Sequence, residues 1–371
     1  MPITRHYLDH ASTSLARPEV VAAVTDALTR GGDPGRIHAE GLEARVAVEG
    51  AREHVAALFG ARPRSVIFTS GATESIAAAS WGAAERGAHQ VLAAVEHSAV
   101  RKAAESCGQV SVVGVDAQGR VSPADLLDAI RPDTALLHLQ WANHEVATLQ
   151  PIAEVVAECR ERGVLVHVDA AQANGHLPID FDSLGADLMS VSAHKLGGPP
   201  GVGALLVRRG LRLRPLLLGG DQERARRAGL ESVALVSGFG AAAHVLLGSL
   251  DDEAAAQRAL TRRLLDAVPD LDGVHAFGDP DQRVPHLVCL GVDGVEPQAV
   301  LLGLDRAGVA AHSGSACASE SLQPSPVLEA MGVDAHHSLR FSVGWSSTDA
   351  DIDAALGALP GILDGLRALR R

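Results

Sequence analysis

Short apolar runs and helix-forming segments alternate along most of this chain. The runs RSVIFTS (64–70), HQVLAAVEH (89–97), VSVVGVD (110–116), TALLHLQWA (134–142) and VLVHVDA (164–170) read as buried strands. Between them, GATESIAAASWGAAERG (71–87), SAVRKAAES (98–106), PADLLDAIR (123–131) and PIAEVVAECRERG (151–163) read as helices. Two further short strands follow in DLMSVSAHK (187–195) and GVGALLVRRG (201–210). The region before them, about 18–58, is helical and broken by GGDPGRIHAEG (31–41). This order predicts an α/β fold, a mostly parallel seven-stranded sheet with helices on both faces. Residues from about 232 to 268 form one long Ala/Leu-rich helix. Beyond it, VPHLVCLGV, VLLGLDRAG, SLRFSVGW and a terminal helix from residue 351 suggest a smaller α+β domain. A boundary inside the long helix gives a large domain at 15–255 and a small one built from 1–14 and 256–371.

Composition narrows the function classes. The 371 residues are 47% hydrophobic, 21% charged and only 3% aromatic, as in a soluble globular protein. A formal net charge of -13 argues against a general nucleic-acid or anionic-membrane binder. No unbroken apolar run reaches the length of a membrane span, and MPITRHYLDHAS lacks a signal-peptide core. The four cysteines, Cys107, Cys159, Cys289 and Cys317, form no CxxC pair. They point to a reducing, cytoplasmic setting without a disulfide framework or a metal site. Three of them read as plain buried residues. Cys317 differs, lying among small residues in SGSACASESLQPS (313–325).

Four groups fall at predicted strand ends, where ligands of open α/β sheets collect. Gly71, Ala72 and Thr73 open a helix after RSVIF. The free amides there form either an anion cup or an ordinary cap. Asp169 ends VLVHVD, and a buried carboxylate needs a partner: a protonated ring nitrogen, a cap or an ion pair. Lys195, in SVSAHKLGGPPGVG, is either a solvated turn lysine or an amine made nucleophilic by its surroundings. His97 ends HQVLAAVEH, as a structural imidazole or a stacking ring. Together they supply phosphate anchorage, a carboxylate, a reactive amine and a flat ring, the parts that pyridoxal 5′-phosphate requires.

The motifs TSGATES, EHSAV, HVDAAQ, SAHK, GPPGVG, SGSACAS and SLRFSVG, in this order, resemble cysteine desulfurases of the NifS/IscS type, class V aminotransferases of the fold-type I group. The resemblance runs from YLDHAST (7–13) to the final helix. It implies a homodimeric enzyme that uses pyridoxal 5′-phosphate to convert L-cysteine to L-alanine. Lys195 would attach the cofactor, Asp169 would face its ring nitrogen, Gln172 its phenolic oxygen and His97 its face. Thr73, Ser192, His194 and the Gly71–Ala72 backbone would take the phosphate. Asn143 and Arg340 would bind substrate, the guanidinium suiting a carboxylate. Cys317 would receive the sulfur as a persulfide for a protein or small-molecule acceptor, its loop moving between cofactor and partner.

Three positions depart from the family's pattern. His144 stands where a second asparagine contacts cofactor or substrate, Leu230 replaces a threonine that reaches the neighbouring subunit's phosphate, and Ala77 replaces an asparagine. They suggest a specialised sulfur donor, for a thio-modified nucleoside or a small metabolite. Two other readings stay open: a cysteine or selenocysteine lyase or an aminotransferase on another amino acid, in which Cys317 is dispensable, and a non-catalytic sulfur-relay or interaction homologue.

Overall fold

The computed structural model of this chain describes residues 4–314 and 324–369. Seven strands form the main sheet. Their spatial order is Val66–Thr69, Gly203–Val207, Leu188–Ser192, Leu165–Asp169, Thr134–Gln140, His89–Ala93 and Gln109–Val113. Gly203–Val207 runs antiparallel to both neighbours, and every other pairing is parallel. The mostly parallel sheet expected from the sequence is therefore present.

Apart from the edge strand Gln109–Val113, expected to be buried but partly exposed, the strands lack polar alternation because both faces are covered. Alternate side chains feed two cores. Phe68, Leu137, Val166, Val168, Met189 and Leu206 pack with Phe239 and Leu246 of the helix Val233–Ala267. Ile67, Leu136, Leu165, Leu188 and Leu205 pack against Ala79 and Ala83 of the helix Ala72–Ala83. A hydrogen-bonded chain crosses the sheet interior. His138 Nε2 meets Gln90 Oε1 at 2.8 Å, His138 Nδ1 meets His167 Nδ1 at 2.9 Å, and His167 Nε2 meets Ser190 Oγ at 2.7 Å. Gln90 Oε1 can only accept, so each ring donates onward and Ser190 starts the chain. Burial keeps both imidazoles neutral, drawing His138 down to about 3.

A second core joins Leu8, Val288, Leu290, Leu339, Phe341, Ile352 and Leu363. It lies on a three-stranded antiparallel sheet ordered Ser338–Ser342, Leu287–Val292, Val274–Phe277. His6–Tyr7 pairs in parallel with Val309–Ala310 beside it. The terminal helix Asp349–Ala368 starts at a capping box of Thr348 and Asp351.

The helix Val233–Ala267 links the two cores, giving Val236, Phe239 and Leu246 to the first and Leu260 and Leu264 to the second. By length and composition alone it is apolar enough to cross a membrane, though the sequence holds no unbroken apolar run of that length. Its apolar positions are instead shared between these cores. Glu253 on the same helix accepts a bidentate ion pair from Arg17 at 2.7 and 2.8 Å.

The sheet order sets the site. Val66–Thr69 and the parallel strands all end at one edge, which brings Thr69, Ser192, Asp169 and Gln140 together.

Candidate active site

At this edge lies a cleft of roughly 370 Å³. Gly71, Ala72, Thr73, His97, His144, Asp169, Gln172, Ser192, His194 and Lys195 all line it, so ten of the predicted site residues converge.

Gly71 sits at φ 153°, ψ 179°, a conformation essentially closed to other residues. The turn lies directly on the neighbouring strand. A Cβ on Gly203 would come within 2.7 Å of Gly71 Cα and 2.6 Å of Val191 O. The first amides of the helix Ala72–Ala83 have no partner within the helix and open on the cleft. Glu74, also lining it, accepts from Ser70 N at 2.8 Å and from Arg227 Nε at 2.9 Å. Against the cost of burial, these partners hold its carboxyl below the usual range.

Lys195 ends the single turn Ala193–Lys195 after the strand Leu188–Ser192, and its Nζ donates to Ala11 O. Burial, then the Arg340 charge, draws its pKa down to about 7, against the opposing pull of Asp9 and Asp169. Asp169 is 7% exposed, and its Oδ1 accepts from Ala171 N at 3.0 Å. Burial raises its pKa, opposed by that bond and by His97 and Lys195.

His97 caps the helix Ser98–Cys107, its Nδ1 accepting from Ala99 N at 3.1 Å. The neutral ring thus carries its proton on Nε2. His144 stands edge-to-face to it, centroids 5.1 Å apart at 71°. Burial, followed by His97, Arg340 and Lys195, holds His144 neutral, and its buried Nδ1 has no partner. The buried Ser192 Oγ is likewise unpartnered. His194 is drawn down to about 4 by burial and by Lys195.

Several expectations need correction or completion. Asn143, expected to touch substrate, is fully buried and does not line the cleft. Its Oδ1 accepts from Glu145 N and Val146 N at 2.8 Å each, and its Nδ2 donates to Val95 O at 3.2 Å. It holds a turn together. Arg340, 3% exposed, is also absent from the lining. It donates to His144 O at 2.8 Å, Asp9 Oδ1 at 3.0 Å and Ser12 Oγ at 2.7 Å. Cys107 is only half-buried, unlike Cys159 and Cys289. Leu230 is 61% exposed. Cys317 lies outside the described residues. Among the described residues no group of side chains is arranged to hold a metal ion.

The sequence reading missed Glu96, Gln140 and Asp9. Glu96 Oε1 accepts from Gln140 N at 2.8 Å, and its Oε2 is buried without a partner. Burial lifts its pKa to about 8, with Asp169 adding to the rise. Its position beside His97 at a strand end was the available signal.

A model of the class V aminotransferases matches residues 6–355. The chain belongs to that family. It is 39% identical to "Cysteine desulfurase IscS" of Dictyoglomus turgidum, over 98% of this chain and 95% of that one. It is 38% identical to "Cysteine desulfurase IscS 1" of Archaeoglobus fulgidus, over 98% of each. A solved NifS-like protein superposes with a TM-score of 0.91 at 30% identity, covering 98% of this chain and all of that one. "SspA in complex with cysteine" superposes at 0.81 with 28% identity, over 92% of this chain and all of that one. Within the class V family, this chain belongs with the cysteine desulfurases.

Proposed function

We propose that the cleft holds pyridoxal 5′-phosphate and that the enzyme passes sulfur from L-cysteine to Cys317. The carrying observation is Lys195, an amine drawn down to about 7 in the cleft that also holds the Asp169 carboxyl and an open helix N-terminus. The residues present fit the group. Ser192 Oγ and His144 Nδ1 are buried polar atoms in want of a partner. A Cβ built on Gly71 meets nothing within 4 Å, so open space lies above the cup.

Gly71, Ala72, Thr73, Ser192 and neutral His194 would hold the phosphate, Asp169 the ring nitrogen, Gln172 the phenolic oxygen and His97 the ring face. When bound, the cofactor supplies an electron sink that acidifies the substrate Cα–H and loosens the Cβ–S bond. Lys195, uncharged in half the molecules at neutral pH, accepts the Cα proton. Arg340 stands behind the lining, paired with Asp9, so it would take the substrate carboxylate by giving up that ion pair. The Cys317 thiolate attacks the substrate sulfur, forming an S–S bond. The Cβ–S electron pair stays on Cβ, which gains a proton, and Lys195 returns its proton to Cα, leaving alanine and a Cys317 persulfide. A homodimer follows from the family reading, and sedimentation velocity can test it.

Purified wild type should be yellow, and Lys195→Ala should lose the visible band. Cysteine should yield alanine together with a persulfide on Cys317. Equal alanine production by Cys317→Ser would refute the acceptor role.

A further inference from the structure

Gln172 is held at both ends of its amide. Its Nε2 donates to Ala11 O at 2.9 Å, and its Oε1 lies 3.2 Å from His286 Nε2. The orientation of the amide follows from the first contact. Turned over, Oε1 would face Ala11 O, two acceptors with no proton between them. Oε1 therefore faces His286, and an imidazole nitrogen meeting a carbonyl oxygen must donate. His286 carries its proton on Nε2.

The rest of the ring agrees. Its Nδ1 is fully buried with no partner, as suits the bare nitrogen of a neutral imidazole. Burial, with His176, Lys195 and Arg340 nearby, opposes a second proton. His286 is also fixed in place. It precedes the strand Leu287–Val292, and its carbonyl accepts from Val343 N at 2.9 Å. Its ring stacks on His176, centroids 3.5 Å apart and planes within 10°. His176 Nδ1 in turn donates to Gln257 Oε1 at 2.8 Å, on the helix that links the two cores. A continuous set of contacts thus runs from that helix through two rings to the oxygen of a cleft-lining amide. None of the residues beyond Gln172 touches the cleft.

We propose that His286 is a positioning residue. Its Nε2–H holds the carbonyl end of Gln172 so that the amide nitrogen, and never the oxygen, faces the cleft. Ala11 O uses one N–H of that nitrogen, and the second is left for an anionic oxygen. The inference rests on the reading that the cleft holds pyridoxal 5′-phosphate, whose phenolic oxygen is such an acceptor. Ala11 alone anchors one atom of the amide. Without the second anchor the group can swing about its last torsion, and the donor is no longer presented.

The test compares the visible band of the holoenzyme across pH in wild type, Gln172→Ala, His286→Phe, His286→Gln and the Gln172→Ala/His286→Phe double variant. Phenylalanine keeps a flat ring against His176 and removes the donor, while glutamine restores an N–H. A donor on an anionic oxygen favours loss of the neighbouring proton. Losing it should raise the band's pH midpoint by about 1, the scale of one charge-assisted hydrogen bond. His286→Phe should match Gln172→Ala, the double variant should move no further, and His286→Gln should return toward wild type. A wild-type midpoint in either single variant overturns the proposal. Absence of any visible band in wild type would instead refute the cofactor reading. A readout on unmutated protein guards against misfolding: ¹⁵N shifts should place the His286 proton on Nε2, and a proton on Nδ1 overturns the assignment.

Discussion

Capture of pyridoxal 5′-phosphate by cofactor-free enzyme should follow the titration of Lys195. Only an uncharged amine attacks a carbonyl. With an ordinary pKa of 10.5, a lysine at pH 7 is uncharged in about 3 molecules of every 10,000. At about 7 the fraction is one half, a gain of roughly a thousandfold. Burial is the main cause and the Arg340 charge the next, while Asp9 and Asp169 act in the opposite direction. Stopped-flow absorbance after mixing with excess pyridoxal 5′-phosphate gives the capture rate. Dividing it by the rate for a blocked free lysine in the same buffer removes the cofactor's own ionisation. The normalised rate should fall with rising pH above about 7, because the free lysine keeps gaining amine while Lys195 is already deprotonated. Below 7 the ratio should be flat. Arg340→Gln removes a like charge and should move the break to higher pH, and Asp9→Asn should move it to lower pH. A ratio that stays flat to pH 9 would mean an ordinary lysine and would refute the argument from burial.

Three further perturbations test separate parts of the structure. Arg52 and Glu223, with side chains 3% and 2% exposed, form a bidentate pair at 2.7 and 2.8 Å; Arg52→Met strands the carboxylate and should cost about 3–5 kcal/mol in urea unfolding, whereas a loss below about 1 kcal/mol contradicts this. Glu96 titrates near 8 when folded against 4.5 in its ordinary state, so its stabilising contribution is full below about 4.5 and is lost as pH rises through 8. Glu96→Gln should shrink the difference in denaturation midpoint between pH 5 and pH 8, and an unchanged difference argues against a protonated Glu96. Gly71→Ala places a Cβ in open space but forces a glycine-only backbone, so it should cost on the order of 1–3 kcal/mol and weaken cofactor retention by equilibrium dialysis. Full stability in that variant would show that the turn can relax.

Much of the fold was legible because local signals and burial agree. In PIAEVVAECRERG, the apolar positions Ile152, Val155, Val156 and Cys159 are the buried ones, and Gly163 ends the helix in a left-handed cap. Most of the short apolar runs became strands covered on both faces; the edge strand Gln109–Val113 is the exception and is partly exposed. One turn gave no such signal. Glu223, Arg224 and Ala225 all have φ between 47° and 60° without a glycine among them. Arg52, 171 residues away in sequence, holds Glu223 there, and no local pattern encodes that partner.

The same criterion separates the site residues that could be read from those that could not. Asp169 ends a strand, Gly71, Lys195 and His97 follow shortly after the strands Val66–Thr69, Leu188–Ser192 and His89–Ala93, and the sheet order alone brings strand ends together. Asp9 and His286 come from outside that sheet and reach the site only through packing between the two cores. Asn143 and His144 show the limit within a single turn. Asn143 N donates to Thr148 O at 2.9 Å and Ala147 takes φ 74°, closing the chain on itself. Closure turns the Asn143 amide inward onto Glu145 N and Val146 N and leaves the next ring to line the cleft. An asparagine there satisfies backbone donors that burial would otherwise strand. The cleft contact therefore passes to position 144, where the cleft offers its ligand an imidazole set edge-to-face with His97 and a buried, unpartnered Nδ1.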